Sequence, residues 1–180
     1  MSHFNQVANE WDSEFKVAMM QKLATETKKV LKLSDNISIM DFGCGTGLFG
    51  LEFSEHTKAL TGIDTSEGML EVFDQKTKDY PEFESKNINL EEASLDQKFD
   101  LVISSMTFHH LNDPFKTLET LKTNLNGSGK IAIVDLDQED GSFHPDNKRM
   151  GVKHFGFSKE KLSDWAKELD LSFEHSFINS

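Results

Sequence analysis

The chain has 180 residues, 31 acidic against 19 basic side chains, a formal net charge of −12 and a single cysteine, Cys44. At this length a chain buries roughly 70% of its unfolded surface and forms one domain without staples. With Arg149 the only arginine, nucleic acid and anionic membrane are excluded as partners, since both need a basic surface with forked phosphate contacts. The lone cysteine, the polar opening MSHFNQVANEWD and the lack of a membrane-length apolar run together predict a cytoplasmic protein.

Residues 4–12 hold Trp11 among polar neighbours, an aromatic expected to pack on the domain or to act as a lid. Apolar positions Phe15, Met19, Leu23, Val30 and Leu31 recur at helical spacing, so residues 1–33 read as an N-terminal helical cap. Strands are expected at 37–42, 59–64, 83–89, 99–106 and 130–137, with helices at 48–56, 66–80 and 114–125 between them. That alternation predicts an α/β fold: a Rossmann-like, doubly wound, mostly parallel sheet with helices on both faces, a three-layer sandwich. Asp113 reads as the N-cap of the third helix, Pro114 as its first residue and Gly127 as the residue past its end. Residues 138–157 carry no regular pattern but hold Phe143, Met150, Val152, Phe155 and Phe157; a long apolar-bearing loop of that kind is expected to serve function. A helix at 158–170 and a last strand at about 171–178 complete the expected elements.

The most specific segment is ISIMDFGCGTGLFG, where an apolar strand ends on Asp41 and Gly43, Gly45 and Gly47 follow at alternate positions. A strand, tight turn and helix start of this kind bring backbone N–H groups against a ligand. Gly45, Gly47 and Gly50 also satisfy G-x-G-x-x-G, with Asp64 nineteen residues after Gly45, the spacing of a dinucleotide (NAD) oxidoreductase. Asp41 argues against that ligand, because a carboxylate just before the turn repels a pyrophosphate.

Asp41, Gly43, Gly45 and Gly47 match the first motif of the class I S-adenosylmethionine-dependent methyltransferases, which the chain resembles over residues 36–137. The resemblance continues at Asp64 in LTGIDTSEGML, at FDLV followed by SSMTFHHL, and at LNGSGKIAIVDLD. It implies S-adenosylmethionine as cofactor, with Asp41, Gly43, Cys44, Gly45, Thr46 and Gly47 at its methionine end. It further implies Asp64 and Thr65 at the ribose, Met69, Asn89 and Leu90 at the adenine, and Ser104 and Ser105 as further cofactor-binding residues. Asn89 stands where relatives carry an aspartate; its amide oxygen can still accept from the adenine amino group. The resemblance also implies a seven-stranded sheet whose seventh strand runs antiparallel between the fifth and the sixth, whereas only one strand is expected here after the last helix, so the fold is expected to lack that last antiparallel strand. A trimmed domain, a truncated chain and an edge covered by a partner chain, as in a homodimer, stay open as explanations.

Methyl transfer from a sulfonium is an in-line displacement, so the protein supplies alignment, desolvation and, where needed, a base. Cys44 is therefore expected to lend its backbone and not its thiol. Imidazoles are the commonest general bases near neutrality, which makes His109, His110, His144 and His154 the candidate catalytic residues. The stretch EDGSFHPDNKRMGVKHFGF resembles a segment that borders the substrate pocket in some small bacterial members. His144, Asp146 and His154 with Asp135 or Asp137 lack a diagnostic metal spacing, and no metal is expected. The reaction read from all this is methyl transfer to a small-molecule acceptor; a non-catalytic cofactor-binding regulatory module is the alternative.

Overall fold

The computed structural model describes residues 3–143 and 146–178. Five strands, β1 (Ile37–Phe42), β2 (Thr57–Asp64), β3 (Phe83–Asn87), β4 (Phe99–Ser105) and β5 (Leu125–Val134), form one sheet in the order β3-β2-β1-β4-β5. Every pairing is parallel. The strand order reverses between β1 and β4, and in open parallel sheets ligands bind at that point, beyond the carboxyl ends of the strands.

The helices are α1 (His3–Val7), α2 (Glu14–Leu31), α3 (Glu67–Thr77), α4 (Pro114–Thr123) and α5 (Lys159–Glu168). Sequence alternation assigns them to opposite faces. Ile39, Leu101 and Ile103 pack with Ala24 and Leu31 of α2, whereas Met40, Phe42 and Val102 pack with Leu118 and Leu121 of α4 and with Leu169. A period of two along each strand thus yields two cores from one sheet. Helix starts follow the expected chemistry: Ser13, Ser66, Asp113 and Ser158 each accept from a backbone N–H in the first turn of the helix that follows.

Several expectations are corrected. The segment 48–56 is a 3-10 helix at Gly50–His56 and not an α-helix, because the glycine turn consumes its first residues. β5 starts at Leu125, so Gly127 lies inside a strand; α4 ends at Thr123, with Asn124 receiving the chain. β3 stops at Asn87, leaving Asn89 in the following turn. Residues 171–178 form no strand: no ladder partner stands beside them among the described residues, and β-structure depends on partners as much as on propensity. Leu171 still packs on the core, while Phe177 is 68% exposed.

Residues 138–157 form a loop closed at its base. Asp137 bridges to Phe157, the Phe157 N–H donates to the Leu136 carbonyl at 3.0 Å and the Glu139 N–H to the Phe155 carbonyl at 3.0 Å. The closure requires Gly156, whose φ is +76° and where an added Cβ would stand 2.0 Å from the Asp137 oxygen.

Candidate functional site

The turn after β1 carries Gly43, Gly45 and Gly47 at φ of +72°, +52° and +84°, all left-handed. At Gly43 a Cβ would meet Thr107 at 2.2 Å, yet at Gly45 it would meet nothing within 4 Å. Gly45 therefore exposes its backbone to open space while its neighbours are packed against protein, as a turn does that receives a ligand closely. Cys44 is buried between them; burial, chiefly, and the neighbouring carboxylates Asp41 and Asp64 push its thiol well above the usual value, so it is inert as a nucleophile.

Asp41 does not face the open side of the turn. It is 1% exposed and turned toward Gly50, where an added Cβ would lie 2.2 Å from its Oδ2. Burial raises its pKa to about 7, Asp64 adds to the rise, and the Gly50 N–H offsets part of it. Even so, Oδ2 has no hydrogen-bond partner of normal geometry among the described residues. A buried, unpartnered carboxylate oxygen beneath a ligand-ready turn suits a ligand end that is cationic and donates hydrogen bonds.

Asp64, at the end of β2, ties the turn in place. Its Oδ2 accepts from the Gly45 N–H at 2.9 Å and its Oδ1 from the Ser66 N–H at 2.8 Å. Burial pushes its pKa up and these amides pull it back. Each oxygen keeps a second lone pair, so the carboxylate can still accept two hydroxyl protons. Thr65 beside it is exposed, whereas Met69 is 2% exposed on α3. Asn89 is half-buried and accepts from the Glu91 N–H at 3.1 Å, which makes it the cap of the turn after β3, and Leu90 behind it is buried. Ser104 is fully buried; its hydroxyl donates to the Phe42 carbonyl at 2.8 Å and joins β4 to β1. Ser105 is half-buried, 3.3 Å from the Met20 sulfur.

The N-terminal segment crosses this cleft. The Asn5 side chain accepts from Ser66 Oγ at 2.5 Å and from the Gly68 N–H at 3.1 Å. Asp12 accepts from Thr46 Oγ1 at 2.5 Å and pairs with Lys76 at 2.5 Å, while Lys76 also donates to the Thr46 carbonyl at 2.7 Å. The Phe4 ring stands edge-on to both Trp11, at 5.6 Å, and His110, at 5.4 Å. Sequence reasoning found the aromatic but missed Asn5, Asp12 and Lys76, whose partners lie far off in sequence. Thr46 is accordingly occupied by Asp12 and only 1% exposed.

Three of the candidate histidines have protein partners. His109 is fully buried, its Nδ1 2.7 Å from Asp135 Oδ1. Asp135 also accepts from the Phe108 N–H at 2.9 Å and the Leu136 N–H at 2.8 Å, so this pair locks the end of β4 to the end of β5. The His109 carbonyl accepts the Lys153 and His154 N–H groups at 2.9 and 3.0 Å. His110 Nδ1 lies 3.2 Å from the Gly151 carbonyl, and His154 Nε2 lies 3.0 Å from the Leu111 carbonyl. Residues 109–111 and 151–154 are thus clasped together, and His109 and His154 take part in holding the loop. His144 lies outside the described residues. Among the described residues no group of three or more His, Cys, Asp or Glu side chains is arranged to hold a metal ion. Asp135→Ala should destabilise the fold by about 3 kcal/mol, since it strands a buried imidazole and backbone amides; urea unfolding that shows less than about 1 kcal/mol would refute the clasp.

A parallel sheet with its strand reversal at β1/β4, a left-handed glycine turn and an acidic residue closing the second strand define a nucleotide-type ligand cleft. A family model described as a methyltransferase domain matches residues 15–176. The chain is 32% identical over 76% of its length to an uncharacterized methyltransferase of Schizosaccharomyces pombe, covering 54% of that protein. It is 36% identical over 73% of its length to the malonyl-[acyl-carrier protein] O-methyltransferase of Acetivibrio thermocellus, covering 47% of it. The chain spans about half the length of these curated relatives. The fold also matches the DhpI structure solved with SAH, at a TM-score of 0.73 and 18% identity, over 93% of this chain and 83% of that one. The chain belongs to the methyltransferase-domain family, and the dinucleotide-oxidoreductase alternative is set aside. No helix among the described residues is long and apolar enough to cross a membrane.

Proposed function

We propose that the chain transfers a methyl group from S-adenosylmethionine to a small-molecule acceptor, leaving S-adenosylhomocysteine. The observation that carries the reading is the turn itself: Gly45 open to a ligand, with Asp64 held at its mouth by the Gly45 amide. When bound, the donor supplies an electrophilic methyl group on a sulfonium.

The chain's residues then have distinct tasks. Gly43, Gly45 and Gly47 offer backbone to the methionine end, and Asp41 beneath them favours a cationic ammonium over a pyrophosphate. Asp64 accepts from the ribose hydroxyls with its remaining lone pairs, and Asn89, Leu90 and Met69 border the adenine. The segment 3–12 covers the donor and excludes water from the reacting centre. The clasped loop 138–157 forms the acceptor wall. Its hydrogen bonds favour a fixed wall, against which alignment does most of the catalytic work. The acidity of the chain and the methyltransferase relatives support a small acceptor over nucleic acid; the O-methyltransferase relative makes oxygen acceptors the first class to screen. A cytoplasmic setting, supported by the single buried Cys44, belongs to the same reading.

Isothermal titration with S-adenosylhomocysteine tests the donor assignment directly. Saturable binding to the folded protein, with micromolar or tighter affinity, is the expected result; a flat titration sinks it. Transfer of labelled methyl to any compound of an acceptor screen separates the enzyme from a regulatory module.

A further inference from the structure

Among the described residues, four other than glycine hold a left-handed backbone: Lys32, Asn36, Met106 and Asp170, at φ of 48°, 63°, 53° and 52°. Lys32 caps the end of α2 and Asp170 follows the end of α5, where a left-handed residue commonly ends a helix, and asparagine adopts that conformation readily. Met106 has neither reason: it follows β4, and its apolar side chain forms no local hydrogen bond with the turn. The facing turn meets the same backbone demand with Gly43, Gly45 and Gly47. At 106 the chain instead keeps a long side chain in a strained conformation, and residues held in that way cluster at ligand sites.

The surroundings put Met106 at the cleft. Its N–H donates to the Val134 carbonyl at 2.8 Å, and the hydroxyl of Ser105 before it lies 3.3 Å from the Met20 sulfur. Thr107 after it fills the space beside Gly43, where an added Cβ would meet Oγ1 at 2.2 Å. Met106 thus stands at the β1/β4 reversal, and the residue next to it packs on the glycine turn. Yet it is only half-buried and, among the described residues, joins none of the apolar clusters that pack the sheet. Core packing does not account for it.

We propose that Met106 is a specificity-determining residue that meets the methyl acceptor, its thioether selecting acceptors that present an apolar or aromatic face beside the atom to be methylated. The inference rests on the donor assignment and names the acceptor class that the same cleft takes. A methionine side chain is polarizable, fits irregular apolar shapes and makes favourable contacts with ring edges. A charged or hydroxyl-rich acceptor would lose hydration against it without a hydrogen bond in return. The loop read as the acceptor wall agrees, since it carries Phe143 and Phe155 at 52% and 46% exposure. In the sequence Met106 is one more apolar residue of SSMTFHHL; its backbone conformation is what marks it.

The test uses protein labelled with carbon-13 at its methionine methyl groups and saturated with S-adenosylhomocysteine. It is titrated with p-cresol, a hydroxyl on an apolar ring, and with glycerol, which has hydroxyls and no apolar face. Met106, identified by the NMR signal that Met106→Leu removes, should shift ahead of the other methionines with p-cresol and stay in place with glycerol. Met106→Asn tolerates the left-handed turn but lacks the thioether; it should weaken p-cresol binding about threefold to tenfold and leave S-adenosylhomocysteine within about twofold. A Met106 signal that p-cresol leaves in place, an equal response to glycerol, or unchanged p-cresol affinity in the variant would overturn the proposal. A matching loss of S-adenosylhomocysteine affinity would place Met106 in the donor site and overturn it too. If Met106→Asn does not fold, Met106→Gly is read by the same criteria. Wild-type protein that does not bind S-adenosylhomocysteine would instead refute the donor assignment, and the Met106 proposal with it.

Discussion

Asp64→Ala should weaken S-adenosylhomocysteine binding at least about 30-fold to 150-fold, because removing a bidentate acceptor leaves two ribose hydroxyls unpaired at roughly 2–3 kcal/mol. A second loss adds to this. Asp64 also receives the Gly45 and Ser66 amides, so its removal releases the glycine turn that the ligand meets. Asp64→Asn separates the two contributions only in part, since its amide nitrogen would face one of those N–H groups instead of accepting from it. A cleaner partition comes from the ligand: the wild type should lose affinity for the 2′,3′-dideoxy analogue, whereas Asp64→Ala should scarcely distinguish it from the parent. A folded Asp64→Ala variant that binds within about threefold of wild type would remove Asp64 from the ribose site.

Asp41→Asn should stabilise the ligand-free protein at about pH 8 and do so progressively less as the pH falls to about 4. The sign follows from the protons bound. Unfolded Asp41 titrates near the ordinary carboxyl value of 3.8, whereas burial, joined by the Asp64 charge, raises the folded value to about 7. Between those values the native state holds the extra proton, so the native state loses stability as pH rises; above about 7 the cost is fully present, and below 3.8 it vanishes. A shift of that size corresponds to roughly 4 kcal/mol at most, and the buried asparagine amide gives back part, leaving an expected gain of about 2–3 kcal/mol. Urea titrations across this pH range measure it; a variant that is less stable at pH 8, or equally stabilised at both extremes, contradicts the assignment. The same substitution should weaken S-adenosylhomocysteine binding, because a neutral amide no longer attracts the ammonium. Stability given up for ligand binding is a common trade at functional sites.

The parts of the fold that were legible share one property: their cause is local. β1 through β4 follow from apolar runs bounded by turn residues, and α4 from Asp113 and Pro114. The glycine turn was legible for the same reason, since positions that demand a left-handed backbone select glycine directly. The segment 171–178 reads as a strand by composition and is none, because a strand exists only through a neighbour. The 3-10 form of Gly50–His56 likewise escaped a helical reading, because the glycine turn takes up the residues ahead of it.

At the site the division is sharper. Residue type alone nominated Asp41, Gly43, Gly45, Gly47 and Asp64, and all of them converge on one turn. Residue type alone also nominated His109 and His154 as bases, and both are engaged in holding the loop. An imidazole in a sequence carries no sign of whether it faces a pocket, a carboxylate or a carbonyl; that depends on partners such as Asp135 and Leu111, brought close by the sheet. The sequence by itself determined the class of protein and the glycine turn after β1, because backbone conformation and strand periodicity are encoded within a few residues. Only the tertiary structure decided that Asp41 is buried, that Asp12 is taken by Thr46 and Lys76, and that His109 meets Asp135, because charge pairing and desolvation are set by contacts between distant segments.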